Sequence, residues 1–253
     1  MTEPTLFPRP VAHRGLHNRA AGVIENSASA FEAAIAGNWA IECDLQLTAD
    51  GVPVLFHDPV LDRLTGRTER VSEITAAELT AIPLLNSSSG DCPQRFTDFL
   101  EQINGRALLQ IELKHQQDSA GTQLLARATA EALKSYDGPV TVESFDPNLI
   151  TQVRQFGFTG PRGIITYNYE GAEAEQNYTA EQRWTLRHLL HWHETQLDFI
   201  SCAKDALELP AIKFWRALGK PVTGWTIRSK QEWEAARPLI DQIVFEGFDP
   251  DIA

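Results

Sequence analysis

The chain has 253 residues, 43% of them hydrophobic, and a formal net charge of −12. That balance argues against a nonspecific nucleic-acid binder, which carries a basic surface. The lack of any run of about 18 apolar residues argues against a helical membrane span or stable membrane insertion. An overall negative field also repels an anionic ligand, so a site for one must be made locally positive by a cation or by arginine and lysine. Cys43, Cys92 and Cys202 are odd in number and widely spaced, and read as reduced thiols rather than a disulfide framework or zinc knuckle. Residues 1–10 hold prolines and Glu3 but no apolar run, which does not read as a signal peptide, so a cytoplasmic location is expected.

In chain order, a strand-like run at residues 10–14 leads to a helical pattern at 27–36, with Asn26 or Ser27 as a natural N-cap. A second strand at 39–47 is followed by Asp50-Gly51, a hairpin-turn signal, and by the short apolar run 53–57. The second strand is therefore expected to fold back on itself. Residues 58–104 read as an excursion over the mouth of the fold, helical in part at 75–79 and 98–104. Strands then recur at 107–114, 140–145, 162–167, 199–203, 222–227 and 242–247. Helical patterns lie between them at 118–135, 147–156, 181–192, 210–218 and 230–240. Strand and helix in alternation imply parallel strands with helical crossovers in one domain spanning 1–253. Eight strand candidates fit a closed barrel, and an open doubly wound sheet fits the same alternation. Only residues 248–253 follow the last strand, too few for a full closing helix.

The charged residues cluster at the ends of these strands. In Ile41-Glu42-Cys43-Asp44-Leu45 the acids are two residues apart, so in a strand both point to one side and the apolar residues to the other. Two buried, unpaired carboxylates cost several kcal/mol each, by rough estimate. A hard divalent cation relieves this, because Mg²⁺ and Ca²⁺ prefer oxygen ligands. An exposed strand face paired with arginine or lysine is the other reading. Glu112 and Lys114 repeat the pattern, with Glu112 as a third metal carboxylate and Lys114 as a point charge for a phosphate oxygen. A salt bridge within the strand end is the alternative. His13 and Arg14 close the first strand and suit proton transfer and phosphate binding, and His57 closes the hairpin. Two histidines supply a base and an acid for phosphodiester hydrolysis. Glu25 is expected to hold His13 or Arg14 in place. Glu143, Phe145 and Trp225 lie at other strand ends, where the aromatics wall a pocket or simply fill core. His188, His191 and His193 read as a solvated helix surface rather than a metal cluster.

Taken together, Ala12-His13-Arg14-Gly15, Glu25-Asn26-Ser27, Ile41 to Thr48, Asp50 to Asp58, Leu61-Asp62-Arg63, Thr65-Gly66, Glu112 with Lys114, Glu143-Ser144-Phe145 and Gly224-Trp225-Thr226 resemble the signature of the glycerophosphodiester phosphodiesterase family. The resemblance implies a TIM-type (β/α)8 barrel. It also implies hydrolysis of a small glycerophosphodiester to sn-glycerol 3-phosphate and an alcohol. By the same resemblance a divalent metal, Mg²⁺ or Ca²⁺, sits on Glu42, Asp44 and Glu112, the catalytic pair is His13 and His57, and the phosphate contacts are Arg14 and Lys114. Two alternatives stay open: a related phospholipase D-type phosphodiesterase for lysophospholipid or sphingomyelin, and a non-catalytic glycerophosphodiester-binding module. Intact histidines and acids speak against the module, and the lack of a basic amphipathic stretch speaks against a lipid-surface enzyme. The chain departs from the family at Ile227-Arg228, where members often carry Val-Asn. It departs again at residues 243–250, where they usually show Thr or Ser followed by Asp.

Overall fold

The computed structural model describes residues 5–252. Nine strands form one sheet: β1 (Val11–Ala12), β2 (Ala40–Leu47), β3 (Pro53–Leu55), β4 (Leu109–Leu113), β5 (Val140–Ser144), β6 (Arg162–Thr166), β7 (Phe199–Ala203), β8 (Val222–Ile227) and β9 (Gln242–Phe245). Their order is β1-β9-β8-β7-β6-β5-β4-β2-β3, and β1 also pairs with β2. That last pairing closes eight parallel strands into a barrel and decides against the open sheet. β3 is the exception. It runs antiparallel to β2 after the Asp50-Gly51 turn, as the hairpin signal implied.

Each strand is apolar because helices cover its outer face. Ile41, Cys43 and Leu45 point outward from β2 into the main apolar core with Phe31 of helix α1 (Ala28–Ala36). Helix α2 (Phe96–Ile103) buries Phe96, Phe99, Leu100 and Ile103, the spacing of one helical face. Full burial of such side chains contributes about 1.5–3 kcal/mol each, and truncating Phe99 to alanine costs about 3–5 kcal/mol. Because α2 packs into this main core, it is the barrel's own second wall helix rather than part of the excursion. The excursion proper carries short helical turns at Asp62–Thr65, Val71–Glu73 and Ala76–Leu79. It packs around a small separate core that includes Val54, Phe56, Leu61, Leu64 and Leu79.

Three further expectations change. The first strand is two residues long rather than five, because Arg14 (φ 58°) and Gly15 (φ 77°) turn the chain into the left-handed region. A side chain at Gly15 would meet Ala30 at 2.9 Å, so glycine is required there on two counts. The helix expected at residues 181–192 stops at Arg187 and resumes only at Trp192–Thr195, with Leu189 at φ 55° between them. The pattern at 230–240 divides into Lys230–Ala236 and a 3₁₀ turn at Arg237–Leu239. After β9 the described residues form turns and no helix.

Candidate active site

Strand register builds the centre of the site. Asp44 of β2 lies level with Glu112 of β4, which lies level with Glu143 of β5. Glu42 sits two residues below Asp44 on the same face. All four side chains point into the barrel mouth and all four residues are buried. Glu42, Asp44 and Glu112 each offer an oxygen within 4.8 Å of the others, and no other trio of histidine, cysteine or acid among the described residues comes this close. The same-side reading of Glu42 and Asp44 therefore holds, and the exposed-face alternative does not.

Charge is distributed unevenly over this cluster. Burial and repulsion from Asp44 and Glu112 hold Glu42 well above the ordinary carboxylate range. Glu112 is pushed up to about 7 by burial, against the pull of Lys114. Asp44 moves the other way. Burial opposes its ionisation, but Lys114, His57 and Arg14 outweigh it and hold its carboxyl far down. Lys114 Nζ lies 2.8 Å from Glu112 Oε1 and 3.2 Å from Asp44 Oδ1, and Arg14 Nε lies 3.5 Å from Asp44 Oδ2. The salt bridge considered for the end of β4 thus exists, and it reaches across to β2 as well. Glu143, pushed up to about 8 mainly by burial, accepts a hydrogen bond from Gln110 Nε2 at 2.7 Å.

The turn after β1 brings His13 and Arg14 to the same centre. The Arg14 amide donates to Glu42 Oε2 at 2.8 Å, a contact that the left-handed backbone makes available. The Arg14 guanidinium donates to Glu25 Oε1 at 2.8 Å, and Glu25 also receives both terminal nitrogens of Arg63. Glu25 thus holds Arg14 and not His13. The partner of His13 is Glu246, at 3.1 Å from Nδ1, while Nε2 lies 4.0 Å from Glu42. Burial holds His13 down to about 4, despite that hydrogen bond. His57 Nδ1 lies 2.7 Å from Asp58 Oδ1, and Arg63 Nε holds the other Asp58 oxygen at 2.5 Å. Burial lowers His57 too.

Several of these partners were not legible in the sequence. Ser27 caps α1, as one of the two options held. Asn26 does something else. Its Nδ2 donates to Asp44 Oδ2 at 2.8 Å and its Oδ1 accepts the Asp44 amide at 3.2 Å, so both ends of that aspartate are fixed. Asp58 and Glu246 had no periodicity to mark them as partners of the histidines, and the signals for the first were its place next to His57 and within the resembling segment Asp50 to Asp58. A cavity of about 380 Å³ opens over the cluster, lined by both histidines, Arg14, Lys114, Glu143 and, on the far wall, Phe145 and Trp225. The two aromatic rings meet edge to face, with centroids 5.7 Å apart. Trp225 Nε1 is held by the Ser201 carbonyl at 3.1 Å. Both rings line the cavity, and Trp225 packs against the apolar core as well.

The remaining histidines form no cluster. His193 is exposed, but His191 is buried with its Nε2 unpartnered, contrary to the solvated surface expected, because the helix breaks before it. The cysteines are all free thiols. No helix of the described residues is long and apolar enough to cross a membrane.

An acidic cluster ringed by two histidines, an arginine and a lysine at the carboxyl ends of barrel strands defines an enzyme that works on an anionic group. Comparison with known proteins agrees. Residues 13–245 match the model of the glycerophosphoryl diester phosphodiesterase family. Glycerophosphodiester phosphodiesterase 1 of Bos taurus and that of Homo sapiens are each 26% identical over 245 residues, covering 88% of this chain and 72% of the relative. Among solved structures, an Oleispira antarctica phosphodiesterase in complex with the product sn-glycerol-3-phosphate superposes with a TM-score of 0.77 at 19% identity, covering 95% of this chain and 93% of that one. A glycerophosphodiester phosphodiesterase from Thermotoga maritima gives 0.69 at 21% identity, covering 94% of each chain. The chain belongs to the glycerophosphoryl diester phosphodiesterase family, and its activity is that of a phosphodiesterase acting on glycerophosphodiesters.

Proposed function

We propose that the protein hydrolyses small glycerophosphodiesters to sn-glycerol 3-phosphate and a free alcohol, with a divalent cation held by Glu42, Asp44 and Glu112. The observation that carries this reading is the convergence of three buried carboxylate oxygens within 4.8 Å beside two imidazoles. The donor set fits a hard cation. Oxygens on opposite sides of one ion stand about 4 Å apart for Mg²⁺ and about 5 Å for Ca²⁺. Glu42 and Glu112 are driven toward protonation by burial and by the charge of Asp44, and a dication removes that penalty. When bound, such an ion supplies Lewis-acid polarisation of a phosphoryl oxygen.

The chain's own groups do the rest. Arg14 and Lys114, both held against the acids, face the cavity and offset the charge of a phosphodiester placed there. His13, kept neutral by burial, takes a proton at Nε2 from the nucleophile, either water or the neighbouring glycerol hydroxyl, whose cyclic phosphate water then opens to sn-glycerol 3-phosphate. His57 gives a proton to the departing alkoxide oxygen, and the anionic substrate beside it favours the imidazolium needed for that step. Phe145 and Trp225 exclude water from the apolar side of the cavity and take the carbon skeleton of the glycerol or the alcohol. The product sn-glycerol-3-phosphate bound by the Oleispira antarctica neighbour supports this scale of ligand. A panel of glycerophosphodiesters with Mg²⁺ or Ca²⁺, read as released glycerol 3-phosphate, tests the reading. Release from the soluble diesters is expected. No release from any member with either ion overturns it, and preference for lysophosphatidylcholine over glycerophosphocholine replaces it with the lipid enzyme.

A further inference from the structure

Glu246 lies 233 positions from His13 in sequence, yet its Oε2 stands 3.1 Å from the His13 Nδ1. The contact is fixed from several sides. Arg228 Nη2 approaches the same carboxylate oxygen at 3.3 Å, and the Glu246 amide donates to the Ile227 carbonyl at 3.0 Å. The His13 amide donates to the carbonyl of Phe245, the neighbour of Glu246, also at 3.0 Å. The strand that carries the acid and the turn that carries the imidazole are thus tied together by main chain as well as by side chain. With Nδ1 engaged, the free Nε2 faces the cavity and Glu42.

The second imidazole is built the same way from unrelated chain segments. His57 Nδ1 meets Asp58, and Arg63 grips the other Asp58 oxygen. In each case a carboxylate clamped by an arginine sits behind Nδ1 and leaves Nε2 toward the reaction centre. One such pair has an ordinary explanation in an ion pair at the rim. Two matched pairs behind the two facing histidines point to a shared purpose.

We infer that Glu246, clamped by Arg228, is the positioning residue for His13, fixing the tautomer with hydrogen on Nδ1 and an accepting lone pair on Nε2. The partner of an imidazole decides which nitrogen carries the proton. Removal of such an outer partner costs about 10–100-fold where the histidine acts on a metal, and a wrong tautomer costs more where it acts as a base. The inference rests on the proposed hydrolytic role of His13.

The test uses full-length, metal-loaded protein carrying Glu246→Ala, a change at a partly exposed position, alongside Glu246→Gln. Two readouts are taken. Steady-state kinetics on a soluble glycerophosphodiester are expected to show kcat reduced at least about tenfold in Glu246→Ala, with KM within about threefold and the thermal midpoint little changed. Nitrogen-15 NMR of labelled histidine is expected to place the His13 hydrogen on Nδ1 in the parent protein and to show that preference lost in Glu246→Ala. Glu246→Gln, which keeps an acceptor oxygen but no charge, falls between the two in kcat. A Glu246→Ala kcat within threefold of the parent overturns the inference. So does a His13 hydrogen on Nε2 in the parent, or an unchanged tautomer in the variant. If the parent turns over no glycerophosphodiester, the hydrolytic reading fails, and the NMR arm still decides what Glu246 does to His13.

Discussion

Replacing Glu143 by glutamine isolates the electrostatic tension in the barrel mouth. The residue is 2% exposed, and its carboxyl is pushed from 4.5 up to about 8 by burial first and by Glu112 second. The sign follows from proton binding. Between those two values the folded chain holds a proton at this site that the unfolded chain has released. The stability from this group is therefore full below about pH 4.5 and is lost as pH rises through about 8. A shift of that size corresponds to about 5 kcal/mol in total, of which about 4 kcal/mol falls between pH 5 and pH 9, more than half of it by pH 7. Glutamine has nearly the same shape, can keep the Gln110 contact, and does not titrate. Urea unfolding of parent and Glu143→Gln with chelator present, at pH 5, 7 and 9, should show the parent losing its advantage steadily by that amount. A difference between the two proteins that stays constant within about 1 kcal/mol across the series would refute the reasoning. Saturating Mg²⁺ or Ca²⁺ should compress the change, since a cation on Glu112 and Asp44 removes part of the repulsion.

Other consequences are open to direct measurement. His13→Ala and His57→Ala should each lower turnover at least about a hundredfold in a well-folded protein, and near-normal rates would remove them from the proton-transfer role. Chelation should abolish turnover, and added Mg²⁺ or Ca²⁺ should raise the thermal midpoint of the parent but not of Asp44→Asn, as differential scanning fluorimetry would reveal. His191 is buried without a partner for Nε2, and burial lowers it to about 4. Its stabilising neutral form is secure above about 6.5, and stability is lost as pH falls toward 4. His191→Leu should spare the protein about 2.5 kcal/mol of the loss seen between pH 7.5 and pH 4.5, by denaturant unfolding. An equal acid loss in both proteins would count against a buried neutral imidazole.

Local periodicity made much of this molecule readable in advance. A two-residue repeat put Glu42 and Asp44 on one side of β2 and Ile41, Cys43 and Leu45 on the other, and that division is what the barrel uses. Asp50-Gly51 announced the β2–β3 hairpin, and Ser27 marked the start of α1, because turns and caps are decided by the few residues that compose them. The helical repeat misled at residues 181–192, where the apolar pattern continued through a left-handed turn at Leu189 and His191 went inside instead of out. It also misplaced residues 96–103, whose apolar face looked like part of a surface excursion and is instead wall of the main core.

What the sequence determined by itself was the alternation of strand and helix, the facing of each acid, and the presence of two histidines at strand ends. Those are properties of a few neighbouring residues and their backbone geometry. Only the closed barrel decided which groups meet. Pairing β1 with both β2 and β9 brings Glu42 and Glu246 to opposite sides of one imidazole, and the turn before α1 places Asn26 on Asp44. Contacts spanning most of the chain are fixed by strand order and register around a ring, and no local signal encodes them.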